Sequence, residues 1–299
     1  MANLKEIRTR IASVTTTRQI TSAMKMVSAA KLKRAQDAVL QLRPYVSKLS
    51  GILTHVYQYN DGFEDKVFFQ PRGNSKVLIV LVTSNRGLCG AFNNNAIKLA
   101  LSLAHNEYRQ ALDTKRLQFV CIGKKGADYL RSKKYPILAE YPAVVERPAY
   151  NEASVVADNI IRQYVDGKFD RVILVYNQFK NAAVQELVHE QFLPVALPRA
   201  KKAVKSTTVV TYNNDYILEP GKEAIIEEIV PLYLKSLFFR ALLDSVASEH
   251  GARMTAMHKA TDNATELLRQ LTLNYNKARQ ASITGEILEI VGGAEALKG

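Results

Sequence analysis

The sequence has few cysteines and no long apolar run. None of its 299 residues belongs to a stretch of the eighteen or more apolar residues that a transmembrane helix needs, and the first residues lack the continuous apolar segment of a secretory signal. The two cysteines, Cys89 and Cys121, do not stand in a metal-ligand spacing, and a chain of this length needs no disulfide bonds for stability. We therefore expect a cytosolic or peripheral protein with two small, buried, free thiols.

Motifs for nucleotide binding and for catalysis are missing as well. The glycine-rich turn SNRGLCGAF at residues 84–92 follows an apolar strand, as phosphate-binding turns do, but it contains neither GxGxxG nor GxxxxGK[ST]. No acidic residue ends the next strand, where a ribose would need one. The five histidines have no Ser, Cys or carboxylate neighbour at the spacing of a known catalytic triad. The sequence thus favours a structural turn and predicts no catalytic, cofactor or metal-binding residue.

Acidic residues are scarce at the beginning of the chain. The net charge is +13, and residues 1–57 hold 10 Lys and Arg against 2 acids, whereas residues 222–299 hold 9 against 10. A basic run is most often a solvated helix face, and the alternatives are contacts with nucleic acid or with an acidic protein surface. Residues 21–36, the most basic helical stretch, contain no aromatic side chain on which a base could stack.

Both ends of the chain show the alternating 3-4 spacing of a coiled coil. Between Leu4 and Val56, twelve of sixteen seam positions are apolar, and between Leu243 and Leu288 ten of fourteen are. Two helices this long do not fit inside a compact domain, so we expect them to pair with each other in antiparallel orientation. Pro44 should kink or split the first helix. The polar interruption of the first seam consists of Arg18, Thr21, Lys25 and Ser28.

The middle of the chain predicts a separate α/β domain. Buried strands alternate with amphipathic helices, which is typical of a mostly parallel, Rossmann-like sheet with helices on its faces. The predicted division is an N-terminal coiled-coil helix at 1–57, a central domain at 76–215 and a C-terminal coiled-coil helix at 222–299. The predicted strands are 76–83, 117–123, 170–179, 185–195 and 206–213, and the predicted helices between them are 93–112, 126–133 and 151–167.

Three motifs carry a family resemblance. They are TSAMKMVSAAKLKRAQ at 21–36, SNRGLCGAFN at 84–93 and the long segment from SEHGARMTAM to EIVGGA at 248–294. Together, in this order, they resemble the gamma subunits of F-type ATP synthases, and the resemblance extends from Leu4 to Ala296. It implies a non-catalytic rotor shaft that couples proton-driven rotation of the membrane c ring to ATP synthesis or hydrolysis.

The resemblance also implies the partners and the location of the chain. One copy per complex is expected to contact the alpha and beta subunits of the catalytic head, the epsilon subunit and the membrane c ring, with no cofactor and no nucleic acid. A peripheral position on the cytoplasmic face of a bacterial inner membrane is favoured over the mitochondrial matrix face. The alternatives from composition alone are a basic coiled-coil nucleic-acid binder and a nucleotide-dependent α/β protein.

Seven residues match contact positions of the family. A shaft inside a ring meets three chemically identical partners in turn, which suits small or flexible side chains at the contact. The chain departs from the family at Asn85, where Asp is usual, and at Ser28, where Ala is common. The residues expected to face the catalytic subunits are Met24, Lys25, Arg279, Gln280 and Thr284, and those expected to face the c ring are Tyr216 and Glu219.

Overall fold

Two long helices dominate the protein. A computed structural model of the chain describes residues 4–58, 67–195 and 221–296. Helix α1 spans Leu4–Gln58, and helix α7 spans Lys222–Ala296. Their sequences are rich in Ala, Leu, Lys, Arg and Gln, the residues with the best helix propensity.

Pro44, which was expected to kink or split the first helix, does not split it. Helix α1 is continuous through this proline. Val39 and Val46, on either side of Pro44, are both 2% exposed. Burial of the flanking seam stabilises the helix in both directions, and this packing outweighs the one hydrogen bond that proline removes.

By contacts within the chain, the described residues divide into two compact units. The first combines residues 4–29 of α1 with residues 253–296 of α7, and its two helices are antiparallel. Thr21 lies opposite Thr261, with 2.9 Å between their Oγ1 atoms. Ile7, Thr21 and Ser28 are buried at predicted seam positions, so the coiled-coil seam continues through its polar interruption.

At two predicted seam positions in the C-terminal part of α7, the buried residue is the next one along the chain. Leu267 was expected in the seam but is 44% exposed, and Asn274 is exposed too. Leu268 and Tyr275 are partly buried in their place. A straight α-helix drifts by about 20° per heptad relative to a 3.5-residue repeat, so a strict heptad count loses the buried face after several turns.

The second unit holds residues 30–58, 67–195 and 221–252, with a five-stranded sheet in the order β3-β2-β1-β4-β5. Strands β1 to β4 are parallel and β5 is antiparallel to β4, which confirms the mostly parallel sheet. The strands are β1 Val77–Val82, β2 Leu117–Ile122, β3 Ile137–Glu140, β4 Arg171–Phe179 and β5 Gln185–Leu193, and the helices are α2 Phe92–Asn106, α3 Arg109–Asp113, α4 Lys124–Ser132, α5 Ala143–Glu146 and α6 Tyr150–Val165.

Strand β1 explains why the sheet lies at the centre of this unit. All six of its residues are buried, so the strand is apolar on both faces, as expected for a parallel strand between two layers of helices. One face, with Ile79 and Leu81, packs on the apolar side chains of α2 and α4. The sheet also contacts α7, where the rings of Phe192 in β5 and Phe238 in α7 have centroids 6.2 Å apart.

The structure adds one strand to the prediction and divides one predicted helix. Strand β3 has no counterpart among the predicted strands, because four half-exposed residues at a sheet edge carry too short a pattern to detect. The helix expected at 93–112 is two helices, since α2 ends at Asn106 and α3 begins at Arg109. The strand expected at 206–213 lies outside the described residues, so the three-part domain division stays a prediction.

A glycine fixes the junction between β2 and α4. Gly123 has φ +100°, and a Cβ atom placed there would lie 2.0 Å from the carbonyl oxygen of Thr83. Such a close approach to backbone leaves no room for any side chain. By contrast, Gly167 has φ +73° but open space around the position of a Cβ.

We expect Gly123→Ala to lower the free energy of unfolding by about 3 kcal/mol, the sum of backbone strain and a steric clash. The matched variant Gly167→Ala carries only the strain and should cost about 1 kcal/mol. Urea unfolding of both variants measures the difference. Equal losses would show that the contact with Thr83 does not restrict this junction.

Candidate partner-contact surface

Lys25 lies in a small cluster of polar side chains between the paired helices of the first unit. Its Nζ is 3.3 Å from Nδ1 of His258, and that nitrogen is 3.5 Å from Oδ2 of Asp262. The lysine can donate to Nδ1 only when the imidazole is neutral with its proton on Nε2. The side chains of His258 and Asp262 are 57% and 63% exposed, so the cluster is at the surface. The positive charge of Lys25 is thus only partly neutralised by the nearby carboxylate of Asp262.

The methionines around this cluster have different surroundings. Met24 is partly buried, whereas Met26, two residues later, is 65% exposed. On α7, Met257 is buried in the seam and Met254 is partly buried. Met257 therefore fills the core of the coiled coil, and Met26 offers a flexible apolar side chain to solvent.

The residues Arg279, Gln280 and Thr284 are all exposed on α7. At 100° per residue they lie within an arc of about 140° of the helix surface, so they share one side. Within residues 4–58, 67–195 and 221–296, none of the three has a hydrogen bond or ion pair to another side chain. Their polar groups are available to an external partner.

The last turns of α7 expose apolar side chains. Counting from the Thr21–Thr261 contact along antiparallel helices, Leu4 lies level with Ala278, so α7 extends beyond the described part of α1. Exposed contiguous apolar surface of this kind is typical of an interaction site. The exposed residues are Ile283, Ile287, Leu288, Ile290 and Val291, with Ile290 reaching 72%.

The two residues predicted to face the c ring, Tyr216 and Glu219, lie outside the described residues. No helix in the described part of the chain is sufficiently long and apolar to cross a bilayer.

Three backbone amides at the glycine-rich turn and the start of α4 donate to side chains of the chain itself. Asn93 accepts through Oδ1 from the amide of Ser84 at 2.9 Å, and Asn85 accepts through Oδ1 from the amide of Lys124 at 3.0 Å. Thr83 Oγ1 accepts from the amide of Gly126 at 2.9 Å. The amides of Ser84, Lys124 and Gly126 at this edge of the sheet are therefore already bound.

Asn85, where the resemblance leads us to expect Asp, makes two hydrogen bonds through its side-chain amide. Its Nδ2 donates to the carbonyl oxygen of Pro142 at 2.8 Å, while its Oδ1 holds the first amide of α4. An ionised Asp could accept from Lys124 but could not donate to Pro142. Asparagine thus joins the turn to both α4 and α5.

The cysteines and histidines of the described regions form no recognisable reactive centre. Both thiols are buried and free, as predicted. Burial raises the pKa of Cys121 to about 12, so its reactive thiolate is scarce near neutral pH. No group of three or more His, Cys, Asp or Glu side chains suited to a metal ion occurs within the described ranges.

Sequence reasoning missed a set of buried polar contacts in the second unit. Arg43 of α1 donates through Nη2 to Oδ1 of Asp244 at 2.7 Å and to the carbonyl oxygen of Phe179 at 2.6 Å. A signal was present, because Arg240 and Asp244 are the sole charged residues in the apolar stretch 236–248 of α7. Charged residues on a buried helix face, one turn apart, indicate polar partners inside the fold.

Comparison with protein families gives a match over nearly the whole chain. The family model described as ATP synthase matches residues 3–297. The ATP synthase gamma chain of Cytophaga hutchinsonii is 49% identical over 297 residues, covering 99% of both chains. That of Flavobacterium psychrophilum is 52% identical over 302 residues, covering both chains completely.

Solved structures share the fold. A chain from the central stalk and c-ring structure of the Tetrahymena thermophila mitochondrial ATP synthase is 25% identical, with a TM-score of 0.59 over 81% of this chain and 99% of that one. A chain of the Euglena gracilis mitochondrial ATP synthase has a TM-score of 0.67 at 21% identity, over 98% of this chain and 94% of that one. From the family match and the bacterial relatives together, we conclude that this chain belongs to the ATP synthase gamma-chain family.

Proposed function

We propose that this chain is the rotor shaft of a bacterial F-type ATP synthase. In this role it transmits rotation of the membrane c ring to the catalytic subunits and performs no catalysis itself. The observation that carries the proposal is the exposed surface of α7 from Arg279 to Val291, which combines polar groups without partners in the described chain with contiguous apolar side chains. A helix that ends in such a surface needs a surrounding partner.

The proposed partners are the alpha and beta subunits around the paired helices, the epsilon subunit and the c ring, with one copy of the chain per complex. The charge of the first unit supports an acidic protein surface opposite Lys25, since its ammonium contacts the imidazole of His258 and the nearby Asp262 is the one acid of this cluster. Arg279, Gln280 and Thr284 are proposed to bind a loop of a catalytic subunit. The chain would then be peripheral on the cytoplasmic face of the inner membrane, held there through its partners.

The two alternatives from composition have no support. At the edge of the sheet where nucleotides bind in folds of this type, Thr83, Asn85 and Asn93 already accept from backbone amides. A nucleic-acid binder would need aromatic side chains among the cations of residues 21–36, and there are none.

We expect Arg279→Ala to slow steady-state ATP hydrolysis by the assembled head by roughly one to two orders of magnitude. A charge-assisted hydrogen bond contributes about 1.5 to 3 kcal/mol, and each 1.4 kcal/mol corresponds to about a tenfold change in rate. The measurement is the ATPase rate per intact complex, with assembly checked by native mass spectrometry.

The control is Lys277→Ala, which removes an exposed charge two residues away on α7 and should leave the rate within about twofold. If Arg279→Ala assembles fully and works at the parental rate, Arg279 does not take part in coupling. If the variant fails to assemble, Arg279 is an anchor for packing and its assignment as a rotary contact is wrong.

A second prediction concerns Tyr216 and Glu219. We expect the double variant Tyr216→Ala with Glu219→Ala to weaken ATP-driven proton pumping in membrane vesicles, since contacts with the c ring are lost. Hydrolysis by the detached head should stay near the parental rate. The matched control is Tyr129→Ala with Glu107→Ala, which removes a tyrosine and an acid accessible at the surface of the α/β domain. Equal losses of pumping and of soluble hydrolysis would contradict a role at the ring.

A further inference from the structure

One guanidinium group joins three parts of the second unit. Arg43 belongs to α1, its carbonyl partner Phe179 ends strand β4, and its carboxylate partner Asp244 belongs to α7. Both bonds come from the same Nη2 atom, at 2.6 and 2.7 Å. Displacement of any one of these elements relative to the other two would break at least one bond.

The surroundings of this contact make it rigid. The side chain of Asp244 is 0% exposed and that of Arg43 is 37% exposed, so water competes poorly for the carboxylate. A carboxylate buried in this way is costly unless a charge partner stays in place. Burial raises the pKa of Asp244 above its usual range although Arg43 opposes the shift, which is consistent with strong desolvation. The pair therefore has a steep energetic preference for one geometry.

Further polar contacts attach α7 to the α/β domain. Lys235 pairs with Asp158 of α6 at 2.9 Å, and Arg240 pairs with Glu190 of β5 at 2.7 Å. One turn beyond Asp244, Ser248 donates to a backbone carbonyl of β4 at 3.0 Å. Together they hold α7 to α6 and to the strands β4 and β5 between Lys235 and Ser248.

We propose that Arg43 and Asp244 are positioning residues that lock α1, α7 and the α/β domain into one torsionally stiff body. The inference rests on the proposed function, since stiffness matters for a shaft that carries torque. Rotation applied to the α/β domain then enters both long helices at the same level, without local twisting at their junction with the sheet.

The test separates stiffness from stability. Removing Arg43 alone leaves a buried charge without a partner and destabilises the fold, whereas replacing a buried pair by apolar residues is often neutral. The double variant Arg43→Met with Asp244→Leu should therefore fold, assemble and hydrolyse ATP. The control is Arg109→Met with Asp113→Leu, which makes the same changes at an exposed pair within α3.

The readout is single-molecule rotation of the assembled complex, with the head immobilised and the probe on the α/β domain. Thermal angular variance is inversely related to stiffness, and the double variant removes both polar contacts that Arg43 makes from α1 to β4 and α7. We expect its variance during catalytic pauses to increase about 1.5-fold or more, and that of the control to stay parental. Arg43→Lys, whose ammonium can donate to both oxygens, should give an intermediate variance.

The outcomes distinguish the inference from the function. If the parental complex shows no rotation of the probe, the proposed function is wrong. If rotation occurs but the variance of the double variant equals that of the control, the inference is overturned. If the double variant does not assemble, Arg43→Lys, which alters the same ion pair, is compared with the parental complex. An angular variance of Arg43→Lys equal to the parental value then overturns the inference as well.

Discussion

The antiparallel pairing of α1 and α7 is the constraint on which the function of this chain depends. In the first unit each helix has one apolar seam and buries it against the other, whereas in the second unit α7 also packs on the sheet. The unusual part is the polar stretch near Thr21. Its hydroxyl is satisfied by the carbonyl oxygen of Arg18 at 3.0 Å and by Thr261 at 2.9 Å, which removes the cost of burying it. A paired polar contact of this kind also specifies register, since a shifted seam would leave both hydroxyls opposite apolar groups.

The α/β domain shows how an architecture shared with nucleotide-binding proteins can serve another purpose. Its parallel strands end at one edge, where ligands bind in many proteins of this type. Here Asn85 and Asn93 hold the backbone amides of that edge, and Gly123 brings the β2–α4 junction against Thr83. These contacts hold the strand ends to the segments that follow them, which illustrates that function follows from the site and not from the fold.

The contact of α7 with the sheet uses buried charges where apolar packing would be the simpler solution. Folding favours the protonated form of Asp244, so this residue lowers stability as the pH rises from its unfolded-state pKa to its raised folded-state pKa. Tyr176, whose pKa burial raises, keeps its proton and donates to Glu190 at 3.0 Å, next to the bond from Arg240. Such networks specify one geometry, since each displaced partner leaves an unsatisfied group.

The sequence by itself determined the two coiled-coil helices, four strands of the sheet and the family. Seam spacing and apolar runs are local patterns that a chain carries whatever its partners. The positions of Lys25 and Arg279 in their motifs were equally visible in the sequence, although their roles remain proposals. Tertiary structure alone decided strand β3, which is too short to have a pattern, and the shifted seam at Leu268, which depends on helix twist. It also decided the partners of Arg43, because Phe179 and Asp244 are 136 and 201 residues away and only folding brings them to one nitrogen atom.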